Sequence, residues 1–193
     1  MTDAPADPRR AARRLTRFLR DQRGVSAVEF AFIAPIMILL YMGLAELTLA
    51  MMAERRASHA ASAVGDLVAQ SPAAMTSADL DQVLYIGKAV VAPFSTSGLT
   101  IRISSVRADA GATPRVIWSK VQGSALPKLA PNSIPSPFPA NLLAANESVI
   151  MSDVIYTYDT PLKKIIPRTL RFSETFYLRP HRADQIACAD CPP

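Results

Sequence analysis

The side chains whose type and spacing could support chemistry are few: Cys188-Ala189-Asp190-Cys191, two histidines, and a lone carboxylate, Glu29, inside an apolar run. A two-residue gap between cysteines occurs in redox pairs, zinc half-sites and small disulfide rings. A redox pair opens a helix, which Pro192-Pro193 directly after Cys191 opposes. Zinc needs two more ligands, and His59 and His181 are the only histidines. For an exported domain the expectation is a disulfide between Cys188 and Cys191, with free thiols as the alternative. His59 lies in an Ala-rich helical segment and His181 among arginines. A surface or packing role is expected for His59, and His181 has no Ser or Cys motif beside it, so no catalytic residue emerges. The seven glycines are scattered and build no phosphate loop. No cofactor and no metal site is expected, and the chain does not read as an enzyme.

Glu29 directs attention to the element that holds it. Phe30 to Ala45 are sixteen residues without a formal charge, and apolar character resumes beyond Glu46 with Leu47, Leu49, Met51 and Met52. As a helix, Val25 to Glu46 rises about 31 Å, close to the ~30 Å hydrocarbon thickness of a bilayer. One membrane span is expected, with Glu29 near one face and Glu46 near the other. Before it, Arg9, Arg10, Arg13, Arg14, Arg17, Arg20 and Arg23 stand against Asp3, Asp7 and Asp21; after it come only Arg55 and Arg56, beside Glu54. The excess of arginine puts the N-terminus in the cytoplasm and the C-terminal part outside. This topology accounts for the basic run, which lies against membrane lipid, so no nucleic-acid partner is expected. A secretory or twin-arginine signal is the alternative for Arg13-Arg14, but the apolar run is longer than such signals use and no Ala-x-Ala-like site follows it.

The front edge of the span is more specific. The run Arg23-Gly24-Val25-Ser26-Ala27-Val28-Glu29-Phe30-Ala31, with Pro35, resembles the processing site of type IV prepilins and, in wording, the TadE/TadG pseudopilins of tight-adherence (Flp) pilus systems. Val149 to Leu162, with its Tyr156-Thr157-Tyr158 and Pro161-Leu162, and Arg179-Pro180-His181-Arg182 resemble the same family more softly. The resemblance implies a pilin-like fold and a prepilin peptidase that cuts between Gly24 and Val25. It also implies partners among other pilin or pseudopilin subunits and the inner-membrane assembly platform. Cleavage would place a new ammonium on Val25, one helical turn from Glu29. An ionised carboxylate in hydrocarbon costs roughly 2.5–3.5 kcal/mol, which such a partner offsets. The alternative is that Glu29 sits half solvated at headgroup depth. Ala27, Ala31 and Ala34 offer a small-residue face for helix packing.

Beyond the span, Ala57, Ala60, Ala61, Val64, Leu67 and Val68 recur at helical spacing, so the helix is expected to continue until Ser71-Pro72. Thr76-Ser77 with Asp79 and Asp81 predicts a second helix, closed at Ala92-Pro93. Alternation predicts strands over Leu99–Arg107, Arg115–Val121, Glu147–Asp159 and Leu170–Arg179, the first two joined through Asp109-Ala110-Gly111. Trp118 is expected to be a core anchor. Pro127, Pro131, Pro135, Pro137 and Pro139 make 126–140 a loop, with a turn of helix near Ala140 to Ala145.

The expected fold is α+β: a long N-terminal transmembrane and stalk helix, then a small pilin-like head of about four antiparallel strands with one packed helix. The division is a basic cytoplasmic leader over 1–24, a transmembrane and stalk helix over 25–70, and an extracytoplasmic head over 71–193. The expected function is that of a pseudopilin in pilus assembly, a minor or priming subunit of the bacterial inner membrane. Two other readings are an uncleaved single-span scaffold of the same machine and a periplasmic enzyme or redox protein tethered by a signal anchor, the latter resting on the cysteine pair alone.

Overall fold

The computed structural model describes residues 23–160 and 169–191. Most of the basic leader, the 161–168 segment with Pro161-Leu162, and Pro192-Pro193 lie outside the described residues. The elements, in chain order, are α1 (Arg23–Ala69), α2 (Ser77–Val91), β1 (Leu99–Ala108), β2 (Pro114–Gln122), β3 (Ser148–Asp159) and β4 (Thr169–Leu178). The fold is therefore α+β with a pilin-like layout, as the sequence predicts. α1 is 47 residues long, begins two residues before Val25 and continues unbroken through Pro35. The chain separates into two units, one up to Ala45 and one from Glu46 onward.

The second unit is built on an antiparallel sheet ordered β2-β1-β3-β4. One sheet face packs against residues 46–69 of α1 and against α2. Ala50, Ala53, Ala57, Ala60, Ala61, Val64 and Val68 recur at steps of three and four and are buried. Facing them are Leu99, Ile101, Ile103, Ile150, Val154, Tyr156 and Tyr158, with Leu80, Leu84 and Val91 of α2 in the same core. Leu67, expected in the buried stripe, is instead exposed, because it falls at the stripe's margin. Close approach of α1 to the sheet depends on small residues. A Cβ on Gly65 would lie 2.6 Å from Leu178 Cδ1 and 3.1 Å from Ser152 Cβ. Ser152 Oγ donates to the Ala61 carbonyl at 2.7 Å, which satisfies a buried hydroxyl.

The other sheet face carries Val106, Ala108, Val116, Val149 and Met151, covered by Leu129, Phe138 and Leu143 of the proline-rich connection. Phe138 meets Tyr177 edge to face at 5.4 Å. Arg102 and Asp153 stand opposite one another in the register and form a buried ion pair at 2.9 Å. Thr175 Oγ1 donates to the second carboxylate oxygen, and Arg102 also donates to the Pro127 carbonyl.

One local expectation differs from the structure, and β2 carries an irregularity. Ala140 to Ala145 form turns rather than a turn of helix, with Asn141 and Asn146 at positive φ. In β2 a register shift opposite Ser105 and Val106 skips Ile117, so Val116 and Trp118 reach opposite faces although two residues apart. Trp118 is nonetheless the core anchor expected: it is buried and its Nε1 donates to the Ile186 carbonyl at 2.8 Å.

Candidate functional site

In the first unit the residues of interest lie on the first three turns of α1. Gly24, Val25, Ala27, Glu29 and Ala31 are exposed and Ala34 is half-buried. At 100° per residue, Val25 and Glu29 lie about 40° apart on one side of the helix, while Ala27, Ala31 and Ala34 form a stripe on the opposite side. The carboxylate and the small-residue face are thus separate surfaces on one cylinder, and one does not obstruct the other. Glu29 has no hydrogen bond or ion pair among the described residues. A Cβ on Gly24 would meet nothing within 4 Å, so packing within the chain does not require glycine there.

Between Phe30 and Tyr41 most apolar side chains are exposed. Phe30, Phe32 and Tyr41 are more than 70 % exposed, and Ile33, Ile36, Leu39 and Leu40 are also open. An apolar surface of this length needs lipid or neighbouring helices around it, and α1 is long and apolar enough to cross a membrane.

At the start of the second unit, Glu46 differs from expectation. Glu46, expected at the membrane face, is buried, and its Oε1 has no hydrogen-bond partner. It precedes Ala50, Ala53, Ala57, Ala60 and Val64 in the same three-and-four spacing, so its phase with the buried stripe was the available signal. Tyr158, buried against Phe94, has its phenol pKa raised by burial first and then by the charges of Glu46 and Tyr156.

Cys188 and Cys191 lie at disulfide distance, with Cα atoms 5.5 Å apart. The tail they belong to is part of the head. Met75 N–H donates to the Ala187 carbonyl, Ala187 N–H to the Ala73 carbonyl, and His181 N–H to the Ala69 carbonyl. Ile186 is fully buried, and Asp190 accepts from the Ser77 N–H at the start of α2. His59 is exposed on α1 and His181 is exposed beyond β4; neither stands near the cysteine pair in a donor cluster.

Among the described residues, one long helix with an exposed apolar N-terminal part, a second helix and a four-stranded antiparallel sheet make a pilin-like layout, and the long helix fits a single-pass membrane protein. Residues 24–66, from the glycine at the front edge to the half of α1 packed on the sheet, match the family model described as TadE-like protein. Over these residues, which are the greater part of α1, the chain is similar to the TadE-like family. The softer resemblance over 149–182 lies outside the matched residues. No curated protein and no solved structure matches the chain.

Proposed function

We propose that this chain is a minor or priming pseudopilin of a tight-adherence pilus system, processed by a prepilin peptidase between Gly24 and Val25. The observation that carries the reading is the match that opens at Gly24 and runs through Glu29 into a stretch of α1 whose large apolar side chains are exposed. The arginine excess before the span sets the N-terminus in the cytoplasm and the head in the periplasm, across the bacterial inner membrane. The work is mechanical and not enzymatic. Before processing, α1 stores the subunit in the lipid. Cutting the Gly24–Val25 bond puts an ammonium on Val25 one turn from Glu29, and the pair shares one side of the helix. The carboxylate also faces the positive end of the shortened helix's dipole. The Ala27, Ala31 and Ala34 stripe then remains free for a neighbouring helix in the filament.

Gly24→Leu tests the processing step. The variant is expected to fold, since the position is open, and to accumulate with its leader attached. Equal gel migration of wild type and variant in envelope fractions would instead identify an uncut scaffold of the assembly platform. Glu29→Ala tests the pairing: cleavage continues but incorporation into fibres falls at least tenfold. Unchanged fibre yield would remove the role given to Glu29.

A further inference from the structure

The two edges of the sheet are treated differently. β2 is covered: Val116 N–H donates to the Ser133 carbonyl, Asn132 N–H donates to the Val116 carbonyl, and Lys120 reaches Ser77 and Asp81. β4, ten residues long, is paired with β3 on one side only, and among the described residues no loop, helix or side chain bonds its outer backbone. An open edge of this length is a template for another strand. Beside it runs a groove between β4 and α1, lined by Glu174, Phe176, Glu54, Arg55, Ser58 and His59.

We infer that β4 is a docking edge for an extended strand from a different extracytoplasmic chain, added antiparallel to β4. A second copy of β4 does not fit. Leu49 of α1 lies with Tyr158 and Asp159 at the start of the β4 pairing, whereas Gly65 lies against Leu178 at its end, so α1 and β4 run the same way. Twofold pairing of β4 on itself would set the two 46–69 stretches antiparallel. Centred on Glu174, that pairing also sets carboxylate directly against carboxylate. That the partner is extracytoplasmic rests on the single-span reading above; the edge and its groove do not.

Register specifies the chemistry of the incoming strand. Phe172, Glu174 and Phe176 pair with Tyr156, Val154 and Ser152, residues of the α1-facing side, so a strand opposite them presents an apolar residue, a cation and an apolar residue. Glu54 adds a second carboxylate to that side, and Arg55 and His59 restrict the preference to one cation rather than a basic run. On the other side Arg171 selects an acid, and Ser173 and Thr175 select hydroxyl or β-branched residues.

The test uses the full chain in detergent micelles and the end-blocked peptide Thr-Val-Thr-Lys-Thr-Val-Glu-Thr. Saturable binding is expected, with new hydrogen-exchange protection at alternate β4 amides. A peptide with Glu in place of Lys should bind at least tenfold more weakly, and Glu174→Lys should reverse that preference, which also shows that the variant is folded. The inference is overturned by protection confined to another surface, by a preference that Glu174→Lys leaves unchanged, by no saturable binding, or by a peptide-free homodimer whose β4 amides are already protected. None of these readings depends on cleavage at Gly24, so its failure is distinguishable from failure of the pilus assignment.

Discussion

At the scale of single residues, the head is held by contacts that leave no room for added atoms and by one buried charge pair. Gly65→Ala forces its new methyl toward Leu178 and Ser152, whose β-carbon is fixed to a strand, so a loss of about 1–3 kcal/mol is expected in denaturant unfolding. Gly87, between Val64 and Ile101 at 2.6 and 2.7 Å, should respond in the same sense. Asp153→Ala strands the Arg102 guanidinium in a buried place and should cost roughly 3–5 kcal/mol, whereas replacing both residues with apolar ones of similar volume should cost far less. These residues were only half legible in the sequence. Alternation places Asp153 on a strand face with Val149 and Met151, but its pairing with Arg102, 51 residues away, depends on the β1–β3 register, which no local pattern states. Glu46 shows the converse: its phase with the alanine stripe was visible, yet a charge at the end of an apolar run reads first as a membrane boundary.

At the scale of elements, local chemistry was readable and tertiary choices were not. The α2 start was legible because its determinants are adjacent: Thr76 Oγ1 accepts from the Asp79 N–H, and Asp79 accepts from the Thr76 N–H. Thr76→Ala should destabilise the head by about 1 kcal/mol. The Asp79 carboxyl is held below its ordinary range by the Thr76 backbone N–H first and the Thr76 hydroxyl second. Its folded pKa is depressed, so its contribution is complete above the unfolded value of about 3.9 and is lost as pH falls through the folded one. Amide protection in α2 should therefore drop in acid below about pH 4, not between pH 5 and 8, and Asp79→Asn should remove that dependence. By contrast, the skipped Ile117 and the burial of Ile186 depend on partners distant in sequence. The cysteine spacing showed a ring but not what the ring holds. Because Asp190 and Ala187 tie the tail to α2 and to the α1–α2 connection, replacing Cys188 and Cys191 with Ser should speed amide exchange at Ser77 and Met75 while β1 and β3 stay protected.

At the scale of the whole molecule, the apolar half of α1 and the head make opposite demands. The head buries a core of apolar residues within itself, whereas Phe30, Phe32, Ile33, Ile36, Leu39 and Leu40 are exposed and require lipid or other helices. That contrast was the most legible property of the chain, since sixteen uncharged residues need no tertiary information to be recognised. The front edge was legible for a different reason: Gly24, Val25 and Glu29 derive their proposed roles from spacing along one helix. Gly24 also weakens the first turn, because glycine is about 1 kcal/mol less favourable than alanine in a helix, which would ease the local extension that the proposed cleavage needs. The account therefore depends on the state of the N-terminus in the membrane. Intact-mass measurement of the protein extracted from cell envelopes tests it most directly: a chain that begins at Val25 is the predicted result, and a chain that retains residues 1–24 contradicts it.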